Sequence, residues 1–143
     1  MKNIYLLDTN IISQVTKTNP DAALISNLEI HSQNCCISSI TWFELKNGVE
    51  LLEDGHKKDK LRSFLYDYVQ PSFPVIPYDE NAASVNADIT SVLIPEGKSP
   101  PILDTQIASV AIANNLILVT DNIKDFDVFK KRFGLMMENW KAG

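Results

Sequence analysis

Apolar residues fall along the 143-residue chain in two kinds of run, short continuous ones and longer ones spaced at three and four. NIYLL (residues 3–7), NCCISS (34–39), PVIPYD (74–79) and LILVTDN (116–122) are of the first kind and predict four short buried strands. Between them, Trp42, Leu45, Val49 and Leu52 recur at helical steps, as do Leu103, Ile107, Val110 and Ala111. Further helices are expected from IISQVTKT up to Asn19-Pro20, over DAALISNLEI, over KLRSFLYDYV up to Pro71, and from an Asp79 N-cap to about Leu93. IPEGKSPP (94–101) reads as the clearest loop, and Asn114 marks the end of the helix that follows it. Short strands alternating with helices imply a parallel sheet covered by helices, formed by residues 1–143 as one domain.

Composition narrows this only in part. No segment has the order of a signal peptide or the length of a membrane span, so a soluble, cytoplasmic protein without membrane contact is expected. Cys35 and Cys36 are adjacent in a strand pattern and read as small apolar residues, not as a zinc or disulfide framework. The net charge of −5 argues against a surface that binds nucleic acid everywhere, while GHKKDKLR (55–62) and FKKRFG (129–134) leave local basic ground.

The acids matter more for where they fall than for how many there are. Asp8 and Asp121 each follow an apolar strand, Glu44 lies early in the helix after the second strand, and Asp104 opens the helix after Pro100-Pro101. In a parallel sheet all four positions lie at one pole, the carboxyl edge where α/β proteins bind ligands. Each also has a plainer reading: Asp8 as an N-cap, Glu44 as a solvated residue, Asp104 as a partner of its helix dipole, Asp121-Asn122 as a turn. Together they pose an electrostatic problem, since two carboxylates about 4 Å apart repel by about 4 kcal/mol at an effective dielectric of 20. Raised pKa values or a bound cation would relieve it, and oxygen ligands without His or Cys select Mg²⁺ or Mn²⁺. Such an ion suits phosphoryl chemistry, and neutralising Asp8 by Asn is expected to relieve repulsion in the metal-free protein.

LLDTNIIS, SSITWFELKNGVELL, LDTQIASVAIANNLILVT and TDNIKDF, in this order and with the closing MMENW, resemble the motifs of PIN-domain ribonucleases. The resemblance is to VapC-type toxins of VapBC toxin–antitoxin pairs and the related plasmid-stability proteins. It implies a three-layer α/β/α sandwich with a central parallel sheet of four to five strands, and a Mg²⁺- or Mn²⁺-dependent endoribonuclease, homodimeric and neutralised by a VapB-type antitoxin. Asp8, Glu44 and Asp104 match the family's acidic triad, with Asp8 and Asp104 tied most directly to the metal. A fourth acid is taken as Asp121, with Asn122 and Asp125 as alternatives and Thr120 orienting a water or a carboxylate.

Two other readings compete. Haloacid-dehalogenase-type phosphatases also begin at a strand-end aspartate, but the second Asp they need two residues on is Asn10 here. A PIN-fold binding module without catalysis would have no use for the clustered charge. RNA approaching an acidic pocket needs cations nearby, for which Lys46, Lys57, Lys58, Lys60 and Lys124 are the candidates. The same pocket should attract an antitoxin arginine against Asp8, Glu44 and Asp104. Exposed apolar residues within Trp42–Leu52 and Phe64–Val69 are expected to support a homodimer.

Overall fold

The structure, a computed structural model, describes residues 2–142. Its strands are β1 (Tyr5–Leu7), β2 (Cys35–Ser38), β3 (Val75–Ile76), β4 (Ile117–Val119) and β5 (Met136–Glu138). They form one parallel sheet in the order β3-β2-β1-β4-β5, with Tyr5 beside Cys35 on one side and Ile117 on the other. Connecting them are α1 (Thr9–Val15), α2 (Ala22–Ile30), α3 (Ser39–Glu50), α4 (His56–Phe64), α5 (Gln70–Ser72), α6 (Glu80–Leu93), α7 (Ile102–Ala113) and α8 (Ile123–Phe133).

Strand alternation divides the interior into two layers. Leu6, Cys36 and Leu118 point into a core with Ile89 of α6, Ile107 of α7 and Phe126 of α8. Leu7, Cys35, Ile37 and Val119 point the other way, onto Ile12 of α1, Leu24 of α2 and Val49 of α3. Strands this short carry few ladder hydrogen bonds. Their anchorage is the burial of both faces, at about 1.5–3 kcal/mol for each large apolar side chain fully removed from water. The α/β/α expectation holds, and both cysteines are free and buried within the sheet.

Some boundaries differ from the sequence reading. The first helix starts at Thr9 because the Asp8 side chain caps it there, and it stops at Val15, well before Pro20. α4 begins at His56 and passes through a π-helical turn, Leu65–Val69, into α5, so that Pro71 lies inside the last turn instead of halting the helix before it. The loop after α6 opens with a 3₁₀ turn over Ile94–Glu96. The chain also adds α8 and β5, joined at Gly134, whose φ of 77° is the left-handed conformation that glycine adopts without strain.

Candidate active site

At the carboxyl edge of β1 the ladder runs one residue past the strand, with the Asp8 N–H donating to the Val119 carbonyl at 2.9 Å. Asp8 is only 4% exposed. Its Oδ1 accepts the Thr9 N–H at 2.8 Å, and its Oδ2 accepts from the Thr120 hydroxyl and the Asn10 amide, each at 2.8 Å. Asp8 is therefore both the cap of α1 and a member of the acidic cluster. The two readings do not compete.

Glu44 reaches the same place from α3, a helix whose start is fixed by Ser38 Oγ accepting the Thr41 N–H at 3.0 Å. The Thr9 hydroxyl donates to Glu44 Oε1 at 2.7 Å and stands 3.3 Å from Thr41 Oγ1. Asn10 links to the end of β4: its Nδ2 lies 3.3 Å from Thr120 Oγ1, and its Oδ1 accepts the Asp121 N–H at 3.3 Å. Thr120 Oγ1 in turn accepts the Asn122 N–H at 3.0 Å. The sequence motifs alone do not single out Thr9 and Asn10 as site residues. Their signal is in LLDTN, where two hydrogen-bonding residues open a helix directly behind a strand-end acid.

Asp104 stands in the first turn of α7, half-buried, and no hydrogen bond to its carboxylate occurs among the described residues. Its pKa is pushed up to about 6, by burial first and then by the charges of Asp8, Asp125 and Glu44. Burial also raises the pKa of Asp8; it outweighs the hydrogen bonds from Thr120 and Thr9 that favour the charged form, and the charge of Glu44 adds to the rise. These shifts bring Asp8, Glu44, Asp104 and Asp125 into one electrostatic neighbourhood.

Asp121 faces another partner. Its carboxylate turns to Lys141 Nζ, 3.5 Å away, and it is not among the acids acting on Asp104. Asp125 is, because it lies in the first turn of α8. Asn122 occupies the N-cap position of that helix without making a side-chain cap.

The five candidate lysines separate as sharply. Lys58 is buried, its Nζ donating to the Glu50 carbonyl at 3.2 Å and to Asp54 at 3.4 Å, so it closes the end of α3 and is not free to bind RNA. Lys46 pairs with Glu50 at 3.1 Å and lies over the Tyr66 ring. Lys57 and Lys60 are exposed on the rim of a groove floored by Leu61 and Phe64. A second cavity, which shares Leu61 and Phe64 with this groove, is lined by Thr9 and Glu44. Lys124 is exposed at the start of α8.

The donor set is carboxylate and hydroxyl oxygen, which suits Mg²⁺ or Mn²⁺. Among the described residues, no three His, Cys, Asp or Glu side chains stand arranged to hold a metal ion. Mg²⁺ is commonly held by one or two carboxylates and keeps its remaining waters, so the pair Asp8 and Asp104 fits where a closed three-ligand cage would not.

A parallel α/β/α sheet with acids gathered at its carboxyl edge defines the class of protein. A family profile described as "PIN domain" matches residues 5–131, and the chain belongs to that family. It is 35% identical over 139 residues to "Ribonuclease VapC2" of Rickettsia felis, covering 96% of this chain and 98% of that relative. It is 33% identical over 126 residues to "Toxin FitB" of Neisseria gonorrhoeae, covering 86% of this chain and 91% of that one. Among solved structures it is similar to VapBC2 from Rickettsia felis bound to a DNA fragment from their promoter, with a TM-score of 0.81 and 34% identity, covering 96% of this chain and 99% of that one.

Proposed function

We propose that this chain is the ribonuclease toxin of a type II toxin–antitoxin pair, which hydrolyses RNA phosphodiester bonds at the pocket of Asp8, Glu44, Asp104 and Asp125. One observation carries the reading: Asp104 has no hydrogen-bond partner among the described residues, and burial together with the charges of Asp8, Asp125 and Glu44 pushes its pKa to about 6. A fold does not keep that repulsion for stability, and a divalent cation relieves it. The relatives named as a ribonuclease and as a toxin support the same conclusion.

In the active protein Asp8 and Asp104 would hold Mg²⁺ or Mn²⁺, which would supply charge neutralisation at the phosphoryl group and a more acidic attacking water. The chain's own groups do the rest. Thr120 and Asn10 fix Asp8 Oδ2, and Thr9 fixes Glu44, which is thereby placed to orient the attacking water and take its proton. Asp125 adds negative charge beside Asp104 and replaces Asp121 as the fourth acid.

The antitoxin is of the VapB type. An extended or helical segment of it lies in the apolar groove over Leu61 and Phe64, which leads an arginine to Asp8, Glu44 and Asp104, where it blocks the place of cation and phosphate. Exposed Phe43, Leu51, Tyr66 and Tyr68, within the two stretches expected to pair, leave apolar surface for a second copy of the chain to cover, and the toxin acts as a homodimer in the cytoplasm, where its RNA is.

The test is expression in a bacterial host. Wild-type chain should arrest growth and fragment RNA, Asp8→Asn should do neither, and co-expression of the adjacent small gene should restore growth and yield a complex that purifies together. Arrest by Asp8→Asn equal to wild type would sink the nuclease reading.

A further inference from the structure

Beyond the acidic pocket, the last described residues form a strap across the end of the sheet. Trp140 is buried against Tyr5 and His31, with ring centroids 5.0 and 5.1 Å away, and its indole N–H donates to Glu138 at 2.9 Å. The Asn27 amide holds the Trp140 carbonyl at 3.3 Å, and the Ala142 N–H reaches Asp21 Oδ1 at 3.2 Å. Lys141 is thus tied on both sides. Its ammonium is led to Asp121 Oδ2 at 3.5 Å, with the lysine side chain 31% exposed and the aspartate side chain 21% exposed.

Asp121 is bound in turn to the site: its N–H donates to Asn10, and Asn10 donates to Asp8. A short chain of contacts therefore runs from the strap cation to the buried acid. Anchoring the strap does not need this ion pair, since a pair so exposed is worth at most about 1 kcal/mol, against about 1.5–3 kcal/mol or more from the burial of a large side chain such as Trp140. What the pair does is hold a cation at the outer end of that chain of contacts to Asp8, in a protein of net charge −5. An ammonium has three donors, of which Asp121 takes one, and its rotamer is already chosen before any ligand arrives.

We propose that Lys141, positioned by Asp121, binds a backbone phosphate of the RNA beside the scissile one. The assignment rests on the ribonuclease reading and adds to it a contact drawn from the strap. Asp121 thereby has a role that is not in the acidic cluster: it presents the lysine. Lys57 and Lys60 line the groove on the α4 side, so a strand crossing the pocket meets positive charge at both ends.

The experiment measures binding of a fluorescein-labelled, single-stranded oligoribonucleotide of mixed sequence, in Mg²⁺ and across a range of KCl, to the full chain carrying Asp8→Asn. Adding Lys141→Gln should weaken binding roughly 3- to 10-fold and reduce the slope of log K against log salt by about 0.7, the value for one phosphate of a single strand that is no longer neutralised. Lys141→Arg should restore both. Asp121→Asn keeps the cation but frees it from its held position, so it should weaken binding less than Lys141→Gln and leave the salt slope unchanged. If the ion pair is only a structural latch, Lys141→Gln and Asp121→Asn will change affinity together and leave the salt slope alone, which overturns the proposal. Cleavage of total cellular RNA by the wild-type chain separates the two levels. Cleavage present with unchanged slopes overturns the role of Lys141 alone; cleavage absent overturns the ribonuclease reading and the role of Lys141 with it.

Discussion

The acidic pocket has two unlike halves. On the β1 side, Asp8 accepts three hydrogen bonds and Glu44 one, all from side chains or backbone within LLDTN and from Thr120. On the α7 and α8 side, neither Asp104 nor Asp125 has a carboxylate hydrogen bond among the described residues, and Asp104 meets mainly negative charge. The first half is a framework whose geometry is set before any ligand binds. The second stores repulsion that a cation or a proton removes. Removing an acid should therefore cost structure on one side and relieve strain on the other, while cleavage is lost from both.

The largest effect is expected on activity. Asp104→Asn and Asp8→Asn should each reduce RNA cleavage by at least about 100-fold, measured on purified protein with Mg²⁺. Their stabilities should diverge. At pH 7 and without metal, Asp104→Asn should gain about 1–2 kcal/mol, taken from about 1.4 kcal/mol per pKa unit and discounted for partial exposure. Asp8→Asn should gain less or lose, because an amide cannot accept all the bonds that Asp8 Oδ1 and Oδ2 accept from Thr9, Asn10 and Thr120. The simple expectation that neutralising Asp8 relieves the site thus passes to Asp104. Equal melting shifts for the two variants would erase the contrast between the halves.

Next in size is Thr120→Val, which removes the hydroxyl between Asp8 Oδ2 and the Asn122 N–H. A loss of about 1–3 kcal/mol in chemical denaturation is expected, the cost of leaving a buried polar group without its partner.

The stored repulsion has its own pH signature. The folded pKa of Asp104 is raised, so between its unfolded value near 4 and about 6 the folded protein binds the extra proton, and stability rises as pH falls through that window. Glu96, held near 2 chiefly by hydrogen bonds from Arg132, works the other way, but its contribution is lost only below about pH 4.5. The metal-free protein should therefore melt higher at pH 5.5 than at pH 7. Saturating Mg²⁺ should flatten or reverse that trend, since the ion takes the place of the proton.

The smallest effect separates two lysines that stand two residues apart in sequence. Lys58→Met should cost about 1 kcal/mol of stability and leave RNA affinity unchanged, since its ammonium closes the end of α3. Lys60→Met should do the reverse, weakening RNA binding by a few-fold with no change in melting.

How far the chain could be read without coordinates follows from the range of each interaction. Strand-end acids and the starts of α3, α6 and α7 are local patterns, and Asp8, Glu44 and Asp104 stand where the alternation of strands and helices puts them. Asp125 is only an alternative in the sequence because its place depends on where α8 begins, and no side-chain cap marks that start. Asp121 and Lys141 are 20 residues apart, and nothing in TDN or NWKAG announces their pairing. β5 has three residues, two of them exposed, so it lacks the buried run that reveals the other strands. Lys58 falls into a basic run on composition, while its burial is decided by the turn at the end of α3.

Whether a divalent cation at this pocket carries RNA cleavage is decided by following cleavage of total RNA as Mg²⁺ is titrated into metal-stripped wild-type and Asp104→Asn protein side by side. A metal-held site predicts no cleavage in EDTA, saturable activity as Mg²⁺ is restored to wild type, and none for Asp104→Asn at any concentration. Cleavage by the wild-type chain in EDTA, or Mg²⁺-dependent cleavage by Asp104→Asn at the wild-type rate, would contradict it.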